Sequence, residues 1–287
     1  MQKPVGFIGA GNMGEALMAG MIKSGLLFPQ EILFSEPRLD QRERLQVKLG
    51  VKSVEDNPSL ASRAPTLILA VKPQSVPEVL REMADQITPS HLLISIAAGV
   101  PLSYIQSYLT HPVRKIRVMP NTPALILQGA AALAPSSEAT VDDLATARAI
   151  FDSVGKTVVV EEKLMDAVTG LSGSGPAYVF AFIEGLISGG VKEGLSRDVA
   201  FALAVQTVLG SAAMISSTAE HPAVLRDKVS SPGGTTMAGL YALEQGSFRA
   251  SLMSAVSAAT RRSRELGQAL QTPPDHSSPP LSQGEKA

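Results

Sequence analysis

The chain has 287 residues, of which 45% are hydrophobic, and its formal net charge at pH 7 is -1. This length predicts about two globular domains, and the near-neutral charge gives no electrostatic footprint for nucleic acid or an anionic membrane. Cysteine is absent, which excludes disulfides, thiol nucleophiles and cysteine metal sites, and the four histidines lack metal-ligand spacing. We therefore expect a cytoplasmic protein without a metal, a signal peptide or a membrane-spanning stretch, although residues 175–191 come nearest to one.

The start of the chain predicts a dinucleotide-binding turn. Residues 5–8 form a short apolar run typical of a buried strand, Gly9-Ala10-Gly11-Asn12-Met13-Gly14 spells G-x-G-x-x-G, and a largely apolar helical pattern follows. The three glycines allow a tight turn, a close approach to a pyrophosphate and close helix–strand packing, and the helix start attracts phosphate. Glu36 lies 22 residues after Gly14, at the predicted end of the second strand, where it can bind a ribose 2′-hydroxyl. A bare structural turn is the alternative, and this context argues against it.

Strands alternate with helices as far as residue 160. We predict strands at 32–34, 66–71, 91–97, 113–119, 129–134 and 157–160, and helices at 40–49, 75–86, 101–109 and 141–154. This alternation predicts an α/β Rossmann-type domain over residues 1–162 with a parallel, doubly wound sheet. Because ligands bind at the carboxyl ends of such strands, small residues at 70–73, 97–99 and 121–123 are expected to line one crevice.

The second half of the chain reads as helices alone. We predict helices at 177–193, 197–218, 222–227, 235–244 and 248–270, an all-α domain over residues 163–271, and a disordered proline-rich tail at 272–287. Residues 177–191 have almost no polar face, and a helix that is apolar all round must be buried. We expect a subunit interface to bury it, with a self-contained helical bundle as the alternative.

Two glycine-rich turns precede helices in this half, Ser172-Gly173-Ser174-Gly175-Pro176 and Val229-Ser230-Ser231-Pro232-Gly233-Gly234-Thr235-Thr236. Converging backbone N–H groups at such a turn capture a phosphate or carboxylate, and serine and threonine hydroxyls add donors. Ordinary helix starts are the alternative. A hydrolase nucleophile at Ser174 is disfavoured, because Gly173-Ser174-Gly175 does not fit G-x-S-x-G and no strand leads into it.

These motifs resemble the pyrroline-5-carboxylate reductase family from about residue 5 to residue 270. Gly9 to Gly14, Ala70-Val71-Lys72-Pro73 and Asn121-Thr122-Pro123 are similar to its cofactor-domain motifs, which would also suit hydroxyacid or imine reductases. Residues 166–178 and 230–236 are similar to its more specific signatures. The resemblance implies NAD(P)H-dependent reduction of the C=N bond of 1-pyrroline-5-carboxylate to L-proline, the last step of proline synthesis. It also implies a homodimer that often assembles further, with no nucleic-acid or membrane partner.

The resemblance assigns residues as well. Thr236 matches the family's imine-contacting threonine and is the predicted catalytic residue, which orients the imine and donates a hydrogen bond. The proton itself comes from water or is already on the iminium, and Lys72 lies either near the cofactor or on the solvated surface. Predicted substrate-binding residues are Glu162, Val229, Ser231, Gly233, Gly234, Thr235 and Thr236. Predicted NADPH- or NADH-binding residues are Ile8, Gly9, Ala10, Gly11, Asn12, Met13, Gly14, Ser35, Glu36, Arg38, Asn57, Ala70, Val71, Lys72, Pro73, Ala97, Ala98, Gly99 and Asn121.

Two further points are open from the sequence. Glu36 and Arg38 are expected to set the cofactor preference, with NADH well used and NADPH accepted, because a carboxylate repels a 2′-phosphate and a guanidinium offsets that repulsion. A non-catalytic dinucleotide sensor is the alternative of another class, and the intact turn at 229–236 argues against it.

Overall fold

The computed structural model describes residues 1–271, so the predicted tail at 272–287 lies outside the described residues. The N-terminal half holds a sheet of strands β1 (Val5–Ile8), β2 (Ile32–Ser35), β3 (Lys52–Ser53), β4 (Thr66–Leu69), β5 (Leu92–Ser95), β6 (Arg114–Met119), β7 (Gly129–Pro135) and β8 (Gly155–Val159). Their order across the sheet is β3-β2-β1-β4-β5-β6-β7-β8. Neighbouring helices are α1 (Asn12–Lys23), α2 (Leu39–Leu49), α3 (Asn57–Ala61), α4 (Val76–Met83), α5 (Leu102–Gln106) and α6 (Val141–Asp152).

The register brings the carboxyl ends of the central strands level with one another. Ile8 at the end of β1 lies opposite Ser35 of β2 and Leu69 of β4, and Leu69 lies opposite Ser95 of β5. All these pairs are parallel, so the loops that follow the strands share one edge of the sheet. This confirms the shared edge for the loops at residues 9–14, 70–73 and 97–99.

Both faces of the sheet are covered, as the buried strands predict. Phe7 of β1 belongs to one core cluster with Leu17 of α1 and Phe151 of α6. Its neighbour Ile8 points to the other face and belongs to a second cluster with Leu80 of α4. Successive side chains of a strand point to opposite faces, so two apolar layers sandwich the sheet, which confirms the doubly wound architecture.

The expectation of an all-parallel sheet is wrong at one position. β6 and β7 pair in antiparallel fashion, with Val118 opposite Leu133. The connection between them holds a short 3-10 turn, Thr122–Ile126, and no longer helix. A parallel pair needs a crossover of a dozen or more residues, so this connection forces the chain to reverse.

The described part of the C-terminal half contains helices joined by loops and no strand, as predicted. A short 3-10 turn, Glu162–Leu164, leads into α7 (Met165–Val168), a π-helical turn (Thr169–Gly173), α8 (Gly175–Lys192), α9 (Arg197–Thr218), α10 (Pro222–Lys228), α11 (Thr235–Gln245) and α12 (Phe248–Gln271). The Ser196 hydroxyl caps the start of α9 by accepting from the Val199 N–H. Helix α12 packs against α7, where the Ser263 hydroxyl donates to Asp166 at 2.7 Å.

Helices α8 and α9 expose large apolar side chains in the single chain. Phe180 is 60% exposed and Phe201 57% exposed, and Ile187 is the buried residue of α8. The alternative of a self-contained bundle is therefore wrong for one chain. The expectation of no sufficiently apolar stretch is also wrong, because Arg197–Thr218 is long and apolar enough to cross a membrane by length and composition.

Candidate functional site

The turn at residues 9–14 has the geometry that its three glycines predict. Gly9 adopts a positive φ of 84°, and a Cβ there would lie 2.8 Å from Val71 Cγ1. A Cβ on Gly14 would lie 3.1 Å from the Gly9 carbonyl oxygen, so helix α1 packs tightly on the end of β1. At Gly11 a Cβ would meet nothing within 4 Å, which leaves the backbone open to a ligand. A side chain at that position would fill the space that a pyrophosphate needs.

The start of α1 also offers unused donors. The Ala10 N–H donates to Glu36 and the Glu15 N–H to Gly11, whereas the N–H groups of residues 11–14 have no acceptor within residues 1–271. Free N–H groups at a helix start, with the positive end of the helix dipole, bind phosphate. The residues present therefore fit the diphosphate of a dinucleotide cofactor.

Glu36 is fixed beside this turn. Its side chain is 6% exposed, one oxygen accepts from the Ala10 N–H at 3.1 Å, and the other accepts from Arg38 Nε at 2.9 Å. Burial alone raises the pKa of Glu36, but hydrogen bonds from Arg38 and from the Ala10 N–H outweigh burial and hold the pKa below its ordinary value. The carboxylate is therefore ionised at neutral pH.

The sheet edge gathers predicted cofactor residues around two cavities. A cavity of about 340 Å³ is lined by the predicted residues Gly9, Ser35, Glu36, Asn57 and Val71. A second cavity, of about 430 Å³, is lined by Pro73, Ala98 and Gly99. Lys72 lies between Val71 and Pro73 and is exposed to solvent.

The second cavity has walls that the sequence did not suggest. Thr169, Arg262 and Leu266 line it together with the predicted loop residues and with Ser174 of the first glycine-rich turn. Helix α12 approaches the loop so closely that a Cβ on Gly267 would lie 2.9 Å from the Gly99 carbonyl oxygen. A glycine inside a long polar helix is the sequence feature that could have predicted this close approach.

The first glycine-rich stretch of the helical half is not an open turn, which corrects the expectation of a second anion-binding turn there. Residues 169–173 form a π-helical turn, and the Ser174 N–H donates to the Thr169 carbonyl at 2.9 Å. Glycine serves close packing here, because a Cβ on Gly173 would lie 2.5 Å from Met119 Cε on β6.

The stretch at 229–236 is an open turn, as predicted. Gly233 has a positive φ of 67°, and the Gly234 N–H donates to the Ser231 carbonyl at 3.0 Å. The N–H groups of Thr235 and Thr236 at the start of α11 have no acceptor within residues 1–271. The geometry fits capture of a carboxylate by backbone donors.

Within one chain, this turn does not meet the cofactor residues. No hydrogen bond among residues 1–271 joins residues 229–236 to the sheet domain, and neither cavity of the sheet edge is lined by them. Glu162 accepts instead from the Leu102 N–H at 2.7 Å and lies 3.5 Å from Arg117. Asn121 bridges elements, donating to Ser172 and accepting from the Ala130 N–H.

Comparisons with known proteins agree with this geometry. Residues 162–266 match the family model described as pyrroline-5-carboxylate reductase dimerisation, and residues 4–99 match one described as NADP oxidoreductase coenzyme F420-dependent. Pyrroline-5-carboxylate reductase of Methanosarcina acetivorans is 48% identical over 92% of this chain and 98% of its own length. The enzyme of Escherichia coli is 39% identical over 93% of this chain and 100% of its own.

Two solved structures share the whole fold. The pyrroline-5-carboxylate reductase of Coxiella burnetii superposes with a TM-score of 0.88, at 36% identity over 93% of this chain and 99% of its own. The pyrroline carboxylate reductase of Plasmodium falciparum with NADP bound gives 0.82, at 34% identity over 93% and 98%. The sequence identity over nearly the full length, together with the shared fold, shows that this chain belongs to the pyrroline-5-carboxylate reductase family.

Proposed function

We propose that the chain is a reductase that converts 1-pyrroline-5-carboxylate to L-proline with NADPH or NADH. The observation that carries this proposal is the presence of two open backbone-donor turns, at 9–14 and 229–236, in a chain of this family. One turn suits a diphosphate and the other a carboxylate, which are the anionic groups of the cofactor and of the substrate.

The predicted cofactor residues would bind the dinucleotide and orient it. When bound, the dihydronicotinamide supplies the hydride that the C=N carbon accepts. The free N–H groups of residues 11–14 would hold the diphosphate, and Glu36 lies beside them. Ala98, Gly99 and the facing residues of α12 form walls that exclude water from the reacting end.

The substrate residues hold the carboxylate and the imine nitrogen. The Ser231 hydroxyl and the N–H groups of Thr235 and Thr236 bind the carboxylate, with Val229, Gly233 and Gly234 shaping the turn. The Thr236 hydroxyl donates to the nitrogen as the amine develops. An ordinary threonine is a poor acid, so the protein contributes position and orientation, and the proton comes from water or is already present on the iminium.

Assembly completes the proposal. The exposed apolar faces of α8 and α9 lie within the dimerisation match, so a homodimer formed through them would bury that surface without a membrane. The dimer would also add walls to a site whose two turns do not meet within one chain. We propose a boundary between the two domains at residues 162 and 163, further assembly into a larger homo-oligomer, and a cytoplasmic location.

The test is NADH and NADPH oxidation measured with 1-pyrroline-5-carboxylate, together with a panel of other cyclic imines and hydroxyacids. Turnover greatest with 1-pyrroline-5-carboxylate is expected. Faster turnover with another imine or a hydroxyacid would assign a different substrate. Cofactor binding without any oxidation would identify a dinucleotide sensor instead.

A further inference from the structure

The cavity beside Glu36 is strongly acidic. Five carboxylate residues line it, and Arg42 is the cation among its lining residues: Glu36, Glu55, Asp56, Glu78 and Glu82 are the acids. Such a concentration of one sign of charge in a concave surface focuses a negative potential into the cavity.

Several of these acids are held in place. The Asp56 side chain caps α3 by accepting from the Ser59 N–H at 2.7 Å, and Glu82 accepts from the Asn57 amide at 2.7 Å. The Asp56 pKa is lowered by its hydrogen bonds from Ser59. The Asn57 amide is a donor that a phosphate could use, but it is already engaged by a carboxylate.

Glu36 occupies the decisive position in this cavity. It accepts from the Ala10 N–H inside the dinucleotide turn, so it lies next to the donors that fit the diphosphate. The ribose that adjoins the diphosphate carries the 2′ substituent that distinguishes the two nicotinamide cofactors. A carboxylate accepts a hydrogen bond from a 2′-hydroxyl and repels a 2′-phosphate of charge about -1.5 to -2.

The available cations do not reverse this charge. Arg38 is 59% exposed and is paired with Glu36 through Nε at 2.9 Å. Arg42 lines the cavity, and its buried Nε has no partner within residues 1–271. One guanidinium group in the cavity lining, that of Arg42, therefore faces five carboxylates, and Arg38 outside the lining is already paired with Glu36.

We propose that this acidic cavity makes the enzyme select NADH over NADPH. The inference rests on the proposed function and goes beyond it, because that function names either cofactor and the structure of the Plasmodium falciparum relative holds NADP. The residues that determine the choice are Glu36 first and then Glu78 and Glu82, which add to the field without touching the diphosphate turn.

Binding tests this selection independently of turnover. Titration calorimetry with 5′-AMP and with adenosine 2′,5′-bisphosphate compares the two adenosine ends, and nicotinamide fluorescence compares NADH with NADPH. We expect the 2′-phosphorylated ligand of each pair to bind about tenfold or more weakly at low salt, and the difference to narrow as salt screens the cavity. The kcat/KM values should favour NADH in the same ratio.

Substitutions of the lining carboxylates test whether those carboxylates cause the preference for NADH. Glu36→Ser should shift the preference toward NADPH by about tenfold or more, and Glu78→Gln with Glu82→Gln should shift it by a smaller factor while keeping the Asn57 hydrogen bond. Glu43→Gln removes a carboxylate from the exposed surface of α2, outside the cavity, and should leave the ratio unchanged.

Equal or tighter binding of the 2′-phosphorylated ligands by the wild-type protein would overturn the proposal. The proposal also fails if neither Glu36→Ser nor the double variant changes the ratio while circular dichroism shows them folded. A protein that binds NADH selectively but reduces no imine would contradict the proposed function and leave this selection intact.

Discussion

The hydroxyl of Thr236 is one group whose removal tests the proposed chemistry. Thr236→Val keeps the β-branched shape at the start of α11, so the turn survives and one donor beside the imine nitrogen is lost. A hydrogen bond that strengthens as the amine develops acts on the transition state more than on substrate binding. Losing one such donor costs about 2.7–4 kcal/mol in oxyanion-type sites. We expect kcat to fall by about tenfold to a hundredfold, because an iminium already carries positive charge and water can replace the hydroxyl.

Thr235→Val is the matched control, since only the backbone N–H of Thr235 enters the proposal. Steady-state kinetics should show near-wild-type kcat for Thr235→Val and unchanged cofactor binding for both variants. Near-wild-type turnover of Thr236→Val would remove its hydroxyl from the chemistry.

Glu162 is expected to act by position and not by contact with the imine. Its carboxylate accepts from the Leu102 N–H at the start of α5, just after the Ala98–Gly99 loop, and balances Arg117, whose side chain is 8% exposed. Glu162→Ala leaves both groups without this partner, and an unsatisfied buried donor costs about 1–3 kcal/mol. We expect a lower Tm and a raised KM for the cofactor, with a smaller change in kcat.

Glu162→Gln separates the two roles, because its amide oxygen still accepts from Leu102. Recovery of the cofactor KM in Glu162→Gln is the expected result. A large loss of kcat in both variants with an unchanged KM would instead place the carboxylate at the reacting nitrogen.

Residues whose role follows from a local rule were predictable from the sequence. The glycines of the turn at 9–14 and Glu36 lie where strand, turn and helix place them, and the free N–H groups follow from the helix start. The partners of Glu162 were not predictable, because Leu102 and Arg117 reach it through the packing of three separate elements. Long-range neighbours of this kind leave no periodic signal in the chain.

The docking of α12 against the π-helical turn at Thr169–Gly173 depends on small residues. A Cβ on Gly170 would lie 2.4 Å from Thr260 Oγ1 and 2.7 Å from the Val256 carbonyl oxygen, so α12 would have to move. Overpacking of this kind costs about 1–3 kcal/mol. Gly170→Ala should therefore lower the Tm and, because α12 walls the second cavity, raise the KM for the cofactor.

Gly246→Ala is the control in the same half of the chain. Gly246 has a φ of -78°, and its Cβ would meet its nearest neighbour at an ordinary 3.5 Å. Thermal unfolding of the two variants decides the matter: an unchanged Tm for Gly170→Ala would show that α12 is not tightly docked.

Elements with clear boundary residues were predicted nearly to the residue, and those fixed by geometry were not. The helix predicted at 197–218 is observed as Arg197–Thr218, with its serine cap. The antiparallel β6–β7 pair escaped prediction because strand direction depends on the length of a connection, not on the pattern of either strand. The π-helical turn at Thr169–Gly173 was not predicted because its glycines resemble those of an open turn, whereas Gly170 packs against α12 and Gly173 against Met119 of β6.

The most important feature of the molecule as a whole is the exposed apolar surface on the helices of its second half. The sequence predicts that residues 177–191 are buried, whereas the structure leaves Phe180 and its neighbours exposed in a single chain. An apolar helical surface of this extent on a single chain marks an interface or a membrane contact. The match of residues 162–266 to a dimerisation region favours the interface.

A charge placed in that surface tests the assembly. Phe201 lies on α9 and is 57% exposed in one chain, and Phe201→Glu would bury an unpaired carboxylate in the proposed interface. An unpaired buried charge is strongly destabilising, by about 3–5 kcal/mol, so light scattering at micromolar concentration should show dissociation. Activity should fall with dissociation while NADH binding to the sheet domain persists, since the substrate turn lies in the half that assembles.

Val47→Glu is the matched control, because Val47 is 90% exposed on α2 of the sheet domain and should tolerate a charge. A wild-type protein that is monomeric and fully active, or a Phe201→Glu variant that keeps its mass and activity, would refute assembly through this face.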